Sequence, residues 1–244
     1  MDIKKISSVH KAEGAGAAVN RLFPTQNYSG HHDPFVLFDE FMVEAPAEFS
    51  EHEHRGFEAV TYMLEGSFVH EDNLGNKSEI TKNQVQVFNA GKSLFHSEKP
   101  GSSGDSRGLQ LWINLPENQK NSDPYYEQLK EVPIIKNKQG ITVREVFGEK
   151  SPLKINTPLT YRIVELKKGQ SYNLELADRS GIVYVIKGHI KINDISLEST
   201  EGVLLSPLSQ VNNYNMLAEK DSHFAAASGL PHHQDIKIKG SFVI

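Results

Sequence analysis

The chain has 244 residues, 38 % of them hydrophobic and 23 % charged, with 26 basic against 31 acidic side chains and a formal charge of −5. This is the composition of a globular protein with room for one or two domains, and with no basic run it carries no electrostatic footprint for direct binding to nucleic acid. Cysteine is absent, which excludes disulfides, thiolate zinc sites, iron–sulfur clusters and cysteine nucleophiles, so any metal must use nitrogen and oxygen donors.

The opening "MDIKKISSVHKAEGAGAAV" has no apolar segment of signal-peptide length, and no later stretch approaches the roughly 18 apolar residues of a membrane span. The expectation is a cytoplasmic protein with no membrane partner. Short runs rich in Val, Ile, Phe, Tyr and Thr then follow at close spacing: "FVLFDEF", "FEAVTYMLEG", "SFVHEDNLGNKSEI", "QVQVFNAG" and "LQLWINLP". Bounded by Gly, Asn, Pro or Ser, they predict an antiparallel sandwich or barrel. Gly75 in "NLGN" supplies the positive φ that closes a hairpin.

Residues 117–140 are polar and read as a linker with one helical turn around "PYYEQLK". Strand-like runs resume with "ITVREVF", "LTYRIVEL", "SYNLEL" and "GIVYVIKGHIKIND" and continue to the closing "IKIKGSFVI". The chain is thus expected to form two all-β domains, residues 1–130 and 131–244. "AVTYMLEGSFVHED" and "IVYVIKGHIKINDI" share an apolar strand, a glycine and a polar-alternating return strand, so Gly66 and Gly188 are expected at equivalent bends of a duplicated unit.

Ligand-type residues occur in the first half only. In "EHEHRGFEAVTYMLEG" His52 and His54 are two apart and share a face of a strand, with Glu58 on the same parity if the pleat is unbroken. By itself such a pair also fits the solvated face of a half-exposed strand. In "FNAGKSLFHSEKP" His96 and Glu98 repeat the spacing after a turn that brings the chain back. Three imidazoles and a carboxylate from two separate strands suit one divalent first-row metal and leave two positions of a six-coordinate ion open.

The segments "HHDPFVLFDEF", "HEHRGFEAVTYMLEGSFVHEDNLGNKSEI", "NAGKSLFHSE" and "GLQLWINLP" resemble the pirin family, bicupins that include quercetin 2,3-dioxygenases. The likeness is dense from Val19 to Pro116 and looser from Thr142 onward. It implies two cupin jelly-roll β-barrels packed face to face and one metal per chain in the first. Iron(II) is expected there, with copper, nickel, cobalt, manganese and zinc as alternatives. It also implies a flavonoid-like substrate opened with dioxygen, or alternatively a regulatory protein that binds a transcription or metabolic partner. A non-oxidative cupin, an isomerase or a small-molecule store, is a third reading.

Carried over by residue, the family's ligands fall on His52, His54, His96 and Glu98, with Glu98 also the expected proton acceptor; the generic cupin pattern would use Glu58 instead. His31 and His32 read as a solvated turn, and His70, His189 and His223 as wall or surface residues without a same-face partner. His232 and His233, being adjacent, point to opposite faces of a strand and chelate poorly. Phe23, Phe35, Phe38, Phe57, Phe95 and Trp112 are expected in the core and pocket wall.

Overall fold

Apolar alternation becomes strand almost wherever it occurs. The computed structural model describes residues 3–13 and 16–244, and in these the regular structure is 24 strands and one 3-10 turn at Glu117–Gln119. No helix among them is long and apolar enough to cross a membrane.

The first of two compact units comprises Val9–Glu131, Leu153–Thr157 and His232–Ile244. Its larger sheet has seven strands in the spatial order Tyr125–Leu129, Val85–Asn89, Phe57–Glu65, Ser106–Asn114, Phe35–Val43, Ala17–Phe23 and Val9–Ala12. A second sheet of four runs Phe49–His54, Leu94–Pro100, Ser67–Asp72 and Lys77–Thr81. Val19, Phe41 and Met63 of the larger sheet meet Phe68 and Ile80 of the smaller in one buried cluster, where each side chain removed from water contributes about 1.5–3 kcal/mol.

The second unit holds Val132–Pro152 and Pro158–Pro231 together with the N-terminal strand Ile3–Ser7. Its seven-stranded sheet runs Ile3–Ser7, Glu201–Leu205, Ser180–Lys187, Ser222–Gly229, Leu159–Leu166, Ile141–Phe147 and Ile134–Lys138. Its four-stranded sheet runs Ser171–Leu176, Asn212–Ala218, His189–Ile192 and Ile195–Glu198. Strand for strand this is the order of the first unit, as a duplication requires. The edge strands differ in origin: Ile3–Ser7 closes the second unit's large sheet from the N-terminus, whereas Tyr125–Leu129 closes the first unit's. The compact units are not divided at one point near residue 130: Ile3–Ser7 joins the second unit, and Leu153–Thr157 and His232–Ile244 join the first.

The helical turn expected around "PYYEQLK" is instead that edge strand. Tyr125–Leu129 pairs antiparallel with Val85–Asn89 from Tyr125 opposite Asn89 to Leu129 opposite Val85, and the ladder satisfies backbone groups that one isolated helical turn would leave open. Phe95, expected in the core, is 39 % exposed, while Phe23, Phe35, Phe38 and Phe57 are buried.

Gly66 and Gly188 occupy equivalent bends, with φ of +70° and +100°. A Cβ on Gly66 would stand 1.9 Å from the Asp105 carbonyl oxygen, whereas Gly75, with φ +88°, has nothing within 4 Å of that position. Gly75→Ala should therefore cost about 1–2 kcal/mol, the left-handed penalty alone, and Gly66→Ala more than about 3 kcal/mol. Urea unfolding followed by the fluorescence of Trp112, the single tryptophan, measures both; an equal or larger loss at Gly75 would contradict the assignment.

Candidate metal centre

The four-stranded sheet of the first unit places the expected ligands. Leu94–Pro100 lies between Phe49–His54 and Ser67–Asp72, antiparallel to both. On one side His96 stands opposite His52 and Leu94 opposite His54, with a register shift between His96 and Glu98. On the other side His96 stands opposite Asp72 and Glu98 opposite His70. Period-two alternation turns His52, His54, His96, Glu98, His70 and Asp72 to one face of three neighbouring strands.

The ring centroids of His52, His54 and His96 are 4.5–4.9 Å apart, and one ring nitrogen from each lies within 4.8 Å of the others. His52 Nδ1 is 2.8 Å from the Ser50 carbonyl oxygen and His54 Nδ1 is 3.3 Å from that of Ser241. A carbonyl only accepts, so both Nδ1 atoms carry the ring hydrogen and both Nε2 atoms present lone pairs. Those Nε2 atoms are 2.9 Å apart, an arrangement that repels unless a positive charge sits against both. His96 Nε2 is buried without a hydrogen-bond partner. Two cis donors at about 2.1 Å from one six-coordinate cation would be about 3.0 Å apart, so these imidazoles fit a divalent metal and fit poorly as a polar network of their own.

Burial, and then the neighbouring His52, lower the His54 pKa to about 3 against a small opposing effect of the Ser241 carbonyl. Burial and the surrounding imidazoles hold His96 well below its ordinary value. Both rings are thus neutral, the form that ligates. Phe88 stacks on His54 with centroids 5.6 Å apart, and Trp112 meets its edge at 5.1 Å.

Glu98 is buried on the same patch, but its carboxylate stands with His70 and His96 in a second group within 4.8 Å rather than with His52 and His54. Its Oε1 accepts a 2.6 Å bond from Gln86 Nε2, and Gln86 Oε1 in turn accepts from the Tyr126 hydroxyl at 3.2 Å. Glu58, the alternative carboxylate, is engaged elsewhere. It accepts from the Tyr125 hydroxyl at 2.8 Å and from the backbone and side-chain N–H groups of Asn156 at 3.0 and 2.8 Å.

His70, expected to lack a same-face partner, is completely buried against Asp72, 3.1 Å from its Nε2, and against His96. The signal was present in "VHED", a third pair at i,i+2 spacing, but only the strand pairing shows that it faces the other two. His189 pairs with Glu219 at 3.2 Å. His232 contacts Asn114 and Thr157, and neither it nor His233 joins a metal-sized group among the described residues.

A cavity of about 300 Å³ within the first unit is lined by His52, His54 and Glu98, by an apolar wall that includes Phe41, Phe49, Phe68 and Trp112, and by Arg21, Asp39 and Gln110. Arg21 donates to both Asp39 oxygens at 2.7–3.2 Å, so it is already neutralised and offers no free clamp for an anionic ligand. The volume and the largely apolar lining suit a flat molecule of a few rings.

The sequence pattern of the family described as Pirin matches residues 16–113. A pirin-like protein of Solanum lycopersicum is 34 % identical over 251 residues, covering 99 % of this chain and 86 % of the relative. Pirin of Homo sapiens is 33 % identical, covering 98 % and 86 %. Among solved structures, quercetin 2,3-dioxygenase from Acinetobacter baumannii superposes with a TM-score of 0.89 at 28 % identity, covering 99 % of this chain and 90 % of the other. The two seven-plus-four-stranded units are accordingly a bicupin fold.

The depressed His54 value has a consequence in the metal-free protein. Between about 3 and 6.5 the unfolded state binds the proton that folded His54 refuses, so this group's contribution to stability is present above pH 6.5 and is lost as the pH falls toward 3. For His70 burial lowers the pKa, but Glu98 and Asp72 together outweigh it and leave the value raised, so this group contributes stability that is present below its unfolded value and lost as pH rises through the folded one. His54→Phe should therefore flatten the decline of the urea midpoint between about pH 6.5 and 5. An unchanged slope would contradict the environment assigned to His54.

Proposed function

The chain belongs to the pirin family, and from that premise we propose that its first unit is a metal-dependent dioxygenase site that opens flavonols such as quercetin with dioxygen. The observation that carries this reading is the cavity of about 300 Å³ that opens onto His52, His54 and Glu98. A regulatory surface would have no need of a substrate-sized apolar chamber over its metal. The structural likeness to a quercetin 2,3-dioxygenase supports the same substrate class.

His52, His54 and His96 would hold one divalent cation through Nε2, with Glu98 as the carboxylate, and iron(II) is our reading of its identity. Such an ion lowers the pKa of a hydroxyl it binds and brings the reactants together. The chain's own residues do the rest. Phe41, Phe49, Phe68 and Trp112 exclude water and present flat or edge-on surfaces to a ring system. Glu98, whose Oε1 is anchored by Gln86, takes the proton of the flavonol 3-hydroxyl through its other oxygen. The electron-rich flavonolate that results reacts with dioxygen. Both oxygen atoms enter the ring-opened depside, and the excised carbon leaves as carbon monoxide.

Protein loaded anaerobically with ferrous iron and then given quercetin and air should bleach the flavonol and release carbon monoxide in equal amount. Glu98→Gln should keep the fold and lose turnover at least about 100-fold, because an amide cannot take the proton. His52→Ala, His54→Ala and His96→Ala should each lose most bound metal by elemental analysis, while His232→Ala retains it. Metal-loaded wild type that neither binds nor consumes several flavonols between about pH 6 and 8 would overturn the dioxygenase reading in favour of the regulatory one.

A further inference from the structure

The face of the larger sheet that lines the cavity of the first unit carries a polar row between two apolar ones. In register across five neighbouring strands stand Arg21, Asp39, Gln110, Thr61 and Gln86, and directly opposite residues of an antiparallel pair share a face. On one side of this row lie Val19, Phe41 and Met63, on the other Leu37, Trp112, Ala59 and Phe88, members of two separate buried apolar clusters. A polar row inside a core costs desolvation energy unless its groups are hydrogen-bonded, and this one is satisfied at its two ends. Arg21 is taken up by Asp39 and, at 3.4 Å, by Glu13, and Gln86 by Glu98 and Tyr126. In the middle, Thr61 is completely buried and its Oγ1 has no hydrogen-bond partner. Gln110 makes one side-chain bond among the described residues, accepting at Oε1 from Trp112 Nε1 at 3.1 Å. An indole N–H only donates, so the amide oxygen is fixed toward Trp112, and Nε2 keeps two N–H groups without an acceptor. Gln110 and Asp39 both line the cavity.

We propose that Gln110 is a specificity-determining residue of the cavity, whose amide N–H groups take the oxygen of a ligand hydroxyl lying against Asp39; the ligand rests on the flavonol reading given above, and the hydroxyl is one other than the 3-hydroxyl. Asp39 stands opposite Gln110 in the strand pairing, and the bonds from Arg21 leave its oxygens further lone pairs. Burial raises the Asp39 pKa more than Arg21 lowers it, and a hydroxyl suits either form. It donates to a carboxylate or accepts from a carboxyl, and in both cases it still accepts from Gln110. An ether or carbonyl oxygen would meet Gln110 alone, and a bare aromatic edge would leave the amide donors unpaired, which is the mismatch a hydrogen-bonding site penalises most. Trp112 ties this place to the metal centre: its ring edge meets His54 at 5.1 Å while its N–H holds Gln110. A ligand lying along Trp112 thus has one end toward His54 and a hydroxylated end toward Gln110.

Titration of the full chain loaded with zinc, which has no redox chemistry, and followed by the fluorescence of Trp112, compares quercetin with 3-hydroxyflavone, the same skeleton carrying the 3-hydroxyl alone. Wild type should bind quercetin at least about 10-fold more tightly. Gln110→Met keeps the length of the side chain and removes its donors, so it should weaken quercetin binding about 10-fold and leave that of 3-hydroxyflavone within about 2-fold. An equal loss for both ligands is what a merely structural role through Trp112 would give, and it overturns the assignment. If Gln110→Met does not fold, nitrogen-15 spectra of the zinc-loaded wild type decide: the Gln110 side-chain amide protons should move downfield with quercetin and not with 3-hydroxyflavone, and equal shifts overturn the assignment. Wild type that binds both compounds without preference contradicts the role of Gln110 alone. Wild type that binds neither overturns the flavonol reading, and the role of Gln110 with it.

Discussion

Antiparallel pairing of Leu94–Pro100 with a strand on each side is the constraint on which the candidate site depends. The central strand brings His96 and Glu98, Phe49–His54 brings His52 and His54, and Ser67–Asp72 brings His70 and Asp72. Because the side-chain period is two, a slip of one residue in either pairing would turn a whole set of donors away from the others. The irregularity between His96 and Glu98 falls where the two potential ligand groups meet, and a local bulge of this kind re-aims side chains. Gathering neutral imidazoles and a carboxylate in a buried patch costs desolvation energy. The large apolar sheet behind them, with Phe57 stacked on Trp112 at 4.1 Å, offsets that cost and holds the rings in place.

The second unit shows what the same topology does without donors. Its strands Ser171–Leu176 and Asn212–Ala218 correspond in sheet order to Phe49–His54 and Leu94–Pro100. Their inward positions are Tyr172, Leu174, Leu176, Tyr214 and Met216, all part of one apolar cluster. Where the first unit has lone pairs and a cavity, the second has hydrocarbon. Among the described residues the metal-sized groups of His and acidic side chains lie in the first unit. The division of labour, one half packing and the other hosting chemistry, follows from side-chain substitution on a repeated backbone rather than from any difference in strand order.

The pairs His52/His54 and His96/Glu98 were legible in the sequence because alternation within one strand is a local property. Glu58 shows where that logic stops. It has the parity of His52 and His54, but Gly56 between them takes φ +77°, and the strand that resumes at Phe57 belongs to the other sheet. The pleat is broken, so parity no longer predicts the face, and Glu58 turns to Tyr125 and Asn156 instead. The sequence leaves the face of His70 open for the complementary reason: its Asp72 partner is local, but His96 and Glu98 lie 26 and 28 residues away on Leu94–Pro100, and only register brings them to it. The two edge strands follow the same rule. Ile3–Ser7 and Tyr125–Leu129 have weak patterns of their own and are strands because an open sheet edge accepts them.

Three imidazole nitrogens, Nε2 of His52, His54 and His96, converge on one point, and we propose that a cation binds between them. Diffraction at the iron absorption edge from crystals of the full chain, equilibrated anaerobically with one equivalent of ferrous iron, tests it most directly. A single anomalous peak per chain is expected within bonding distance of all three Nε2 atoms, with none in the second unit. A peak elsewhere, or none while the three rings keep their present placement, would contradict it.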